Sequence, residues 1–313
     1  MIKINNLKKN YGNVRAVNNI SFSINDGEIV GFLGSNGAGK STTLKILSGY
    51  LTPTNGHVSI NNFDISKDSQ EIKKIIGYLP ESNPLYNDMV VYDLLEFTAK
   101  IRNITGLNFK NSFDKVVEQC GLKGVLHKNI SECSKGYKQR VGLACAMIHD
   151  PKILILDEPV TGLDPNQIVE IRELIKKLGK EKLVLMSSHI LQEIEATVNR
   201  IIIIDKGEIV ADGSTKSLIK KYKGNIKLKL ELKNSDKEKF KLLTDNNNDL
   251  KIKNIRKTKN GHSLEIEYLE KNDPREEIFK FIIQQKWTIL EMSPKSDNLE
   301  DIFRKLTGVT NKI

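Results

Sequence analysis

Cysteine is scarce. Cys120, Cys133 and Cys145 are the three in 313 residues, and none lies closer than twelve positions to another. A disulfide scaffold is thereby excluded; with no CxxC pair, zinc and redox motifs are not expected, and reduced thiols in a cytosol are. The five histidines, His57, His127, His149, His189 and His262, are scattered without ligand spacing. Long apolar runs are missing too: no purely aliphatic stretch exceeds the four residues of Ile201–Ile204, whereas a membrane-spanning helix needs ~20. The opening MIKINNLKKN lacks the apolar stretch of a signal peptide.

Arginine is rare beside lysine, 8 against 41, although arginine is the preferred reader of phosphates and guanine edges. The net charge of +10 splits evenly, +5 in residues 1–222 and +5 in residues 223–313, with acids interspersed throughout. A solvated lysine-rich surface is the expectation, and direct nucleic-acid binding is not. What remains is ordinary for a globular protein of about two domains: 39% hydrophobic and 28% charged residues with a mean hydropathy of −0.36.

Through residue 220, short apolar runs alternate with helical patterns. Ile29–Leu33, Ile153–Leu156, Leu183–Met186 and Ile201–Ile204 read as strands buried on both faces. Between two of them Ile168, Ile171, Leu174, Ile175 and Leu178 mark one face of a helix, with Gly179 at its end. This alternation predicts an α/β domain with a largely parallel sheet. Lys3–Leu7, Ile20–Ile24 and His57–Ile60 alternate by two, as a smaller antiparallel layer does, and about 84–150 reads as helical. After Tyr222 the texture changes. Strands near 227–232, 251–257, 262–268 and 288–292, with helices near 235–243 and 274–285, give the βαββαβ order of a ferredoxin-like α+β domain. Asn246–Asn248 reads as a loop tip. The predicted domains are therefore 1–222 and an accessory 223–313, in which nothing looks catalytic.

Gly34, Ser35, Asn36, Gly37, Ala38, Gly39, Lys40 and Ser41 match G-x-x-x-x-G-K-S/T in full. The match follows a predicted strand, and Thr42 continues into a predicted helix, the context a phosphate-binding loop requires. Successive backbone N–H groups cradle phosphates there, and the helix N-terminus adds positive potential. Lys40 is expected to reach the β/γ-phosphates of a nucleotide, and the Ser41 hydroxyl to join a Mg²⁺ shell. The strand 153–156 ends in Asp157 and Glu158, which point in different directions because side chains alternate. Asp157 is the expected Mg²⁺ carboxylate and Glu158 the base that polarises the attacking water.

A third segment narrows the family. Cys133–Arg140, whose Ser134 lies 23 positions before Asp157, resembles the signature motif of ABC ATPases, usually LSGGQQQR. Other pieces follow in order. Tyr11 resembles the aromatic residue that stacks on adenine, Thr161–Asp164 the D-loop, and His189 the switch histidine. Alone, Tyr11 would be edge-strand packing, His189 structural, and Asp164–Pro165 a helix start. The wordings YLPES, SKGYKQRVGLA, DEPVTGLDPNQ and SSHILQEIEA are most similar to gliding-motility-associated ABC ATP-binding subunits.

The resemblance covers residues 1 to about 220 and implies a P-loop NTPase of ABC type: a RecA-like core, an antiparallel β subdomain and a helical subdomain. It also implies ATP and Mg²⁺ as cofactors. Ser134, Gly136 and Asp164 would meet the nucleotide of an opposite subunit. Glu81, in the position of the Q-loop glutamine, would offer an oxygen to the metal. Three departures accompany it: Cys133 for leucine, Lys135 for the first signature glycine and Tyr137 for glutamine, besides Glu81 itself. One phosphate loop and one signature in the chain imply a dimer, two copies of this chain or a similar partner. The absence of a span implies a separate transmembrane permease at the cytoplasmic face of the cell membrane, with export favoured. An ABC ATPase acting on ribosomes or nucleic acid without a transporter is the alternative.

Overall fold

A computed structural model describes residues 1–222, 225–245, 250–269, 271, 273–295 and 298–308. The predicted loop tip Asn246–Asn248 lies outside the described residues. Contacts divide the chain into two units, Met1–Ser217 with the chain from Phe303, and Leu218–Ile302.

In the first unit β1 (Ile2–Tyr11), β2 (Val14–Ile24), β4 (Asn55–Ile60) and β5 (Phe63–Asp64) form an antiparallel sheet in the order β2-β1-β4-β5. A six-stranded sheet holds β3 (Ile29–Leu33), β6 (Ile76–Leu79), β7 (Ile153–Leu156), β8 (Leu183–Ser188), β9 (Arg200–Asp205) and β10 (Glu208–Gly213). Its order is β10-β9-β3-β8-β7-β6, parallel except for the β10 edge. Every residue of β3, β7 and β8 is buried, which is why these strands read as continuous apolar runs instead of alternating ones. Val30, Phe32, Ile153, Ile155, Leu183, Leu185, Ile202 and Ile204 share one core with Ile2 and Ile4 of β1, and with Leu44 and Leu47 of helix α1 (Lys40–Leu47). The antiparallel sheet and α1 thus close over one face of the parallel sheet, fixing the strand end from which the phosphate loop emerges.

The two edge strands β6 and β10 are additions to the four predicted from sequence. Helix α2 (Ser69–Ile75) leads into β6, and the segment predicted to be helical contains α3 (Val91–Ile101), α4 (Gly106–Cys120) and α5 (Lys135–Met147). Further helices are α6 (Pro165–Leu178), α7 (Leu191–Glu195) and α8 (Thr215–Tyr222).

The second unit is an antiparallel sheet of β11 (Ile226–Lys233), β12 (Lys251–Thr258), β13 (Gly261–Tyr268) and β14 (Thr288–Lys295), in the order β12-β13-β11-β14. With α9 (Lys241–Asp245) between β11 and β12 and α10 (Arg275–Gln284) between β13 and β14, this is the split βαβ arrangement of a ferredoxin-like fold. Leu228, Leu230, Leu232, Leu264 and Ile266 face a core containing Phe240, Ile278, Ile282 and Trp287, while the alternate residues Lys227, Lys229 and Glu231 stay outside that core. A helix not anticipated from sequence, α11 (Leu299–Thr307), follows. It carries Glu300 and Asp301 in its first turn and Arg304 and Lys305 in its last, the charge order that complements a helix dipole.

Candidate functional site

The loop 34–39 leaves the fully buried strand β3 and turns into α1 at Gly39, whose φ of 107° lies where only glycine is comfortable. A Cβ there would also stand 2.5 Å from the Ala16 carbonyl oxygen. Lys40 is folded onto the loop: its Nζ donates to the carbonyls of Gly34 at 2.8 Å and Ser35 at 3.3 Å. The same ammonium lies 3.5 Å from Glu158 Oε1, both side chains being buried.

Asp157 and Glu158 follow β7, and the neighbouring strand β8 organises both. Ser187 Oγ donates to Asp157 Oδ1 at 2.6 Å and accepts from the Glu158 backbone N–H at 2.9 Å. Ser41 Oγ, from α1, donates to the same Asp157 oxygen at 3.3 Å. Glu158 itself has φ +51°, a left-handed backbone that costs a non-glycine residue about 1–3 kcal/mol and is tolerated where the surroundings over-determine it. They do: Thr161 Oγ1 donates to Glu158 Oε2 at 3.0 Å, and His189 Nδ1 is 2.8 Å from that oxygen. One carboxylate is thus gripped by a lysine, a hydroxyl and an imidazole beside a cavity of about 400 Å³ lined by Asn36, Gly37, Lys40, Ser41, Thr42, Glu81 and Glu158. A carboxylate so held can accept a proton from a water in that cavity.

Among the described residues no cluster of three or more His, Cys, Asp or Glu side chains could hold a metal ion. Mg²⁺ asks for less, since it is commonly bound by one or two carboxylates with the remaining positions filled by water and substrate phosphates. The two hard oxygens of Ser41 and Asp157, meeting at one point, fit that demand.

The other predicted residues fall elsewhere. Tyr11 is 47% exposed at the β1–β2 turn, with Lys9 Nζ 5.4 Å from its ring centroid, and does not line the phosphate-loop cavity. Ser134 is the N-cap of α5, its Oγ accepting from the Tyr137 N–H at 3.3 Å, and Asp164 is the N-cap of α6, accepting from the Gln167 N–H at 3.0 Å. Gly136 is buried against Gln167. Within one chain Ser134, Gly136 and Asp164 do not line the cavity that holds Lys40 and Glu158. Two contributors escaped sequence reading as individuals. Thr161 and Ser187 were visible only as letters within motifs; the hydroxyls that hold Glu158 and Asp157 act across turns and between strands.

A protein-family description, ABC transporter, matches residues 17–161. The bacitracin transport ATP-binding protein BcrA of Bacillus licheniformis is 34% identical over 310 residues, covering 98% of this chain and 97% of its own length. This chain belongs to the ABC transporter ATP-binding proteins. The linearmycin resistance ATP-binding protein LnrL of Bacillus subtilis is 30% identical over 317 residues, 99% of each chain. A solved ATP-binding subunit of an ABC transporter matches with a TM-score of 0.65 at 27% identity, over 71% of this chain and 93% of that one. A dimeric ATP-binding cassette in a post-hydrolysis state, bound to ADP and Pi, matches with a TM-score of 0.62 at 26% identity, over 68% and 98%. The fold is accordingly the ABC-type P-loop ATPase, and this ABC ATP-binding subunit binds and hydrolyses ATP to power transport.

Proposed function

We propose that the chain is the ATPase half of an exporter, closing as a dimer on two MgATP and docking on a separate permease at the cytoplasmic face of the cell membrane. Mg²⁺, where held by Ser41, Asp157 and Glu81, would supply neutralisation of the charge that develops on the phosphates. In this reading Gly34–Thr42 cradle the phosphates, Lys40 carries the charge contact to the β/γ-phosphates, and Ser41, Asp157 and Glu81 face the metal. Glu158 takes the proton of the attacking water, and His189 and Thr161 hold that carboxylate in place. Tyr11 stacks on adenine, and Ser134, Gly136 and Asp164 complete the site of the opposite subunit. Residues 1–222 form the ATPase domain and 223–313 an accessory domain. Export is supported by the bacitracin-transport and linearmycin-resistance proteins among the relatives. The narrower likeness to gliding-motility-associated subunits rests on the motif wordings alone.

The observation that carries the permease is an apolar groove of about 440 Å³ beside the Glu81 loop, lined by Tyr50, Pro84, Leu85, Tyr86, Phe97 and Ile101. Tyr50, Tyr86, Phe97 and Ile101 are 75%, 60%, 41% and 65% exposed, an apolar surface of the kind that marks an interaction site. Of the apolar side chains Leu85, Tyr86, Val90 and Val91 that follow Glu81 in sequence, Leu85 and Tyr86 line this groove, whereas Val91 is fully buried within the subunit and is not available to a partner. Among the described residues no helix is long and apolar enough to cross a membrane.

The test is flotation with membranes at low and high salt, with and without a neighbouring permease gene. Docking through the groove survives salt, needs the permease and is lost in Tyr86→Asp. The competing cause, a +10 chain on anionic lipid, is screened within ~8 Å at physiological ionic strength. Binding that needs only anionic lipid and vanishes in salt, or a chain that follows ribosomes, overturns the exporter reading.

A further inference from the structure

Two of the departures from the ABC wording, Glu81 for glutamine and Lys135 for glycine, lie 54 positions apart in sequence and on one cleft in the fold. The cause is a clasp between the Glu81 loop and α5. Asn83 Nδ2 donates to the Lys138 carbonyl at 2.7 Å, and the Asn83 amide occupies a notch where a Cβ on Gly142 would stand 2.2 Å from its Oδ1. Glu81, Lys135 and Lys138 consequently line a cleft of about 510 Å³ together with Ser41 and Asp157. Glu81 also lines the phosphate-loop cavity. The Lys135 ammonium has its own seat: a Cβ on Gly162 would lie 1.9 Å from Lys135 Nζ, so the charge rests where that glycine carries no side chain. Among the described residues neither Glu81 nor Lys135 makes a direct ion pair.

We propose that Glu81 and Lys135 are a compensating charge pair that sets the metal affinity of the cleft. Glutamine and glycine at these two positions would bring no net charge. A carboxylate at 81 adds a negative charge beside the Ser41 and Asp157 oxygens and strengthens the hold on a dication. The ammonium at 135, seated on Gly162, offsets it through the cleft that both side chains line. The proposal rests on the reading of Ser41 and Asp157 as metal-binding residues given above.

The experiment is equilibrium binding of a fluorescent ATP analogue to the full chain across a Mg²⁺ titration, with a parallel measurement in EDTA. K135A is expected to lower the half-saturating Mg²⁺ concentration about threefold and E81Q to raise it about threefold, the scale of one partly screened charge. The double variant returns close to wild type, and K135R, which keeps the charge, matches wild type. Binding in EDTA is the same for wild type, K135A and K135R. A K135A titration that overlays wild type overturns the pair, and so does a K135A change of equal size in EDTA, the mark of a merely structural role. D157N tests the underlying reading separately. Loss of the Mg²⁺ dependence in D157N supports that reading, and its retention removes the metal site and this proposal with it.

Discussion

The Lys40 ammonium stands 3.5 Å from Glu158 Oε1, the two side chains being 6% and 5% exposed. The residue proposed for the β/γ-phosphates and the residue proposed as the base are thus buried against each other. A buried charge that loses its partner is strongly destabilising, by roughly 3 kcal/mol. Lys40→Ala is therefore expected to lower stability in urea as well as nucleotide affinity. Lys40→Ala combined with Glu158→Gln should recover most of the stability and none of the affinity. Equal stability of wild type and Lys40→Ala would contradict the pairing.

Glu158→Gln keeps the shape of the side chain and an oxygen for the Thr161 hydroxyl, which donates at 3.0 Å, but removes the proton acceptor. Turnover should fall by about 10²–10⁴-fold while equilibrium binding of ATP persists and a closed dimer accumulates. Hydrolysis assays beside size-exclusion chromatography with ATP check both parts; normal turnover would remove Glu158 as base.

Ser134→Arg places a bulky cation at the head of α5 and removes the cap that accepts from Tyr137 N–H, a local cost of about 1 kcal/mol. If sites are shared between two subunits, this variant is inactive yet folded. Mixing it with Lys40→Ala chains then restores part of the activity, because one kind of mixed dimer gathers both defects into a single site. Full activity of Ser134→Arg alone would exclude shared sites.

His149 supplies a pH dependence remote from catalysis. Burial, followed by the positive charge of Arg102, lowers its pKa from 6.5 to about 4. Its Nε2 lies 3.0 Å from the Ile76 carbonyl oxygen, and its Nδ1 is buried without a partner. The fold therefore holds the neutral ring. The stabilisation is complete above pH 6.5 and is lost as pH falls through 6.5 towards 4, because the unfolded chain takes the proton first. The full loss is on the order of 3 kcal/mol. Urea midpoints at pH 7 and pH 5 should fall further for wild type than for His149→Gln; equal falls would remove His149 from the acid sensitivity.

The wall of the groove is also chemically quiet. Cys145 lines it, and burial, partly opposed by its hydrogen bond with Thr98, raises that thiol to about 11. Little thiolate forms near neutrality, so mild alkylation is expected to leave Cys145 unmodified, as mass spectrometry of the alkylated chain would show.

Much of the phosphate loop was legible in Gly34–Ser41 because eight consecutive residues make it: a strand, a glycine-permitted turn and a helix N-terminus are all local. The buried strands were legible for a similar reason, since β3, β7 and β8 must be apolar at every position to sit between two covered faces. The βαββαβ order after Tyr222 follows from alternation and turn residues, again within short windows. The short edge strand β6 escaped because Ile76–Leu79 offers four residues and a glycine, too little period to distinguish a strand from a loop.

What the amino-acid order determined by itself was the set of local pieces, because backbone geometry and burial pattern are properties of neighbouring residues. Only the tertiary structure decided which pieces meet. Ser41 and Asp157, 116 positions apart, share an oxygen contact because β3 and β7 flank β8 in one sheet, and Ser187 reaches Asp157 from that middle strand. The fold left Tyr11 outside the cavity and Ser134, Gly136 and Asp164 away from their own chain's Lys40. It also put Glu81 and Lys135 on one cleft. Strand order and helix placement minimise exposed apolar surface over the whole unit, and that is a sum over distant residues which no window of sequence contains.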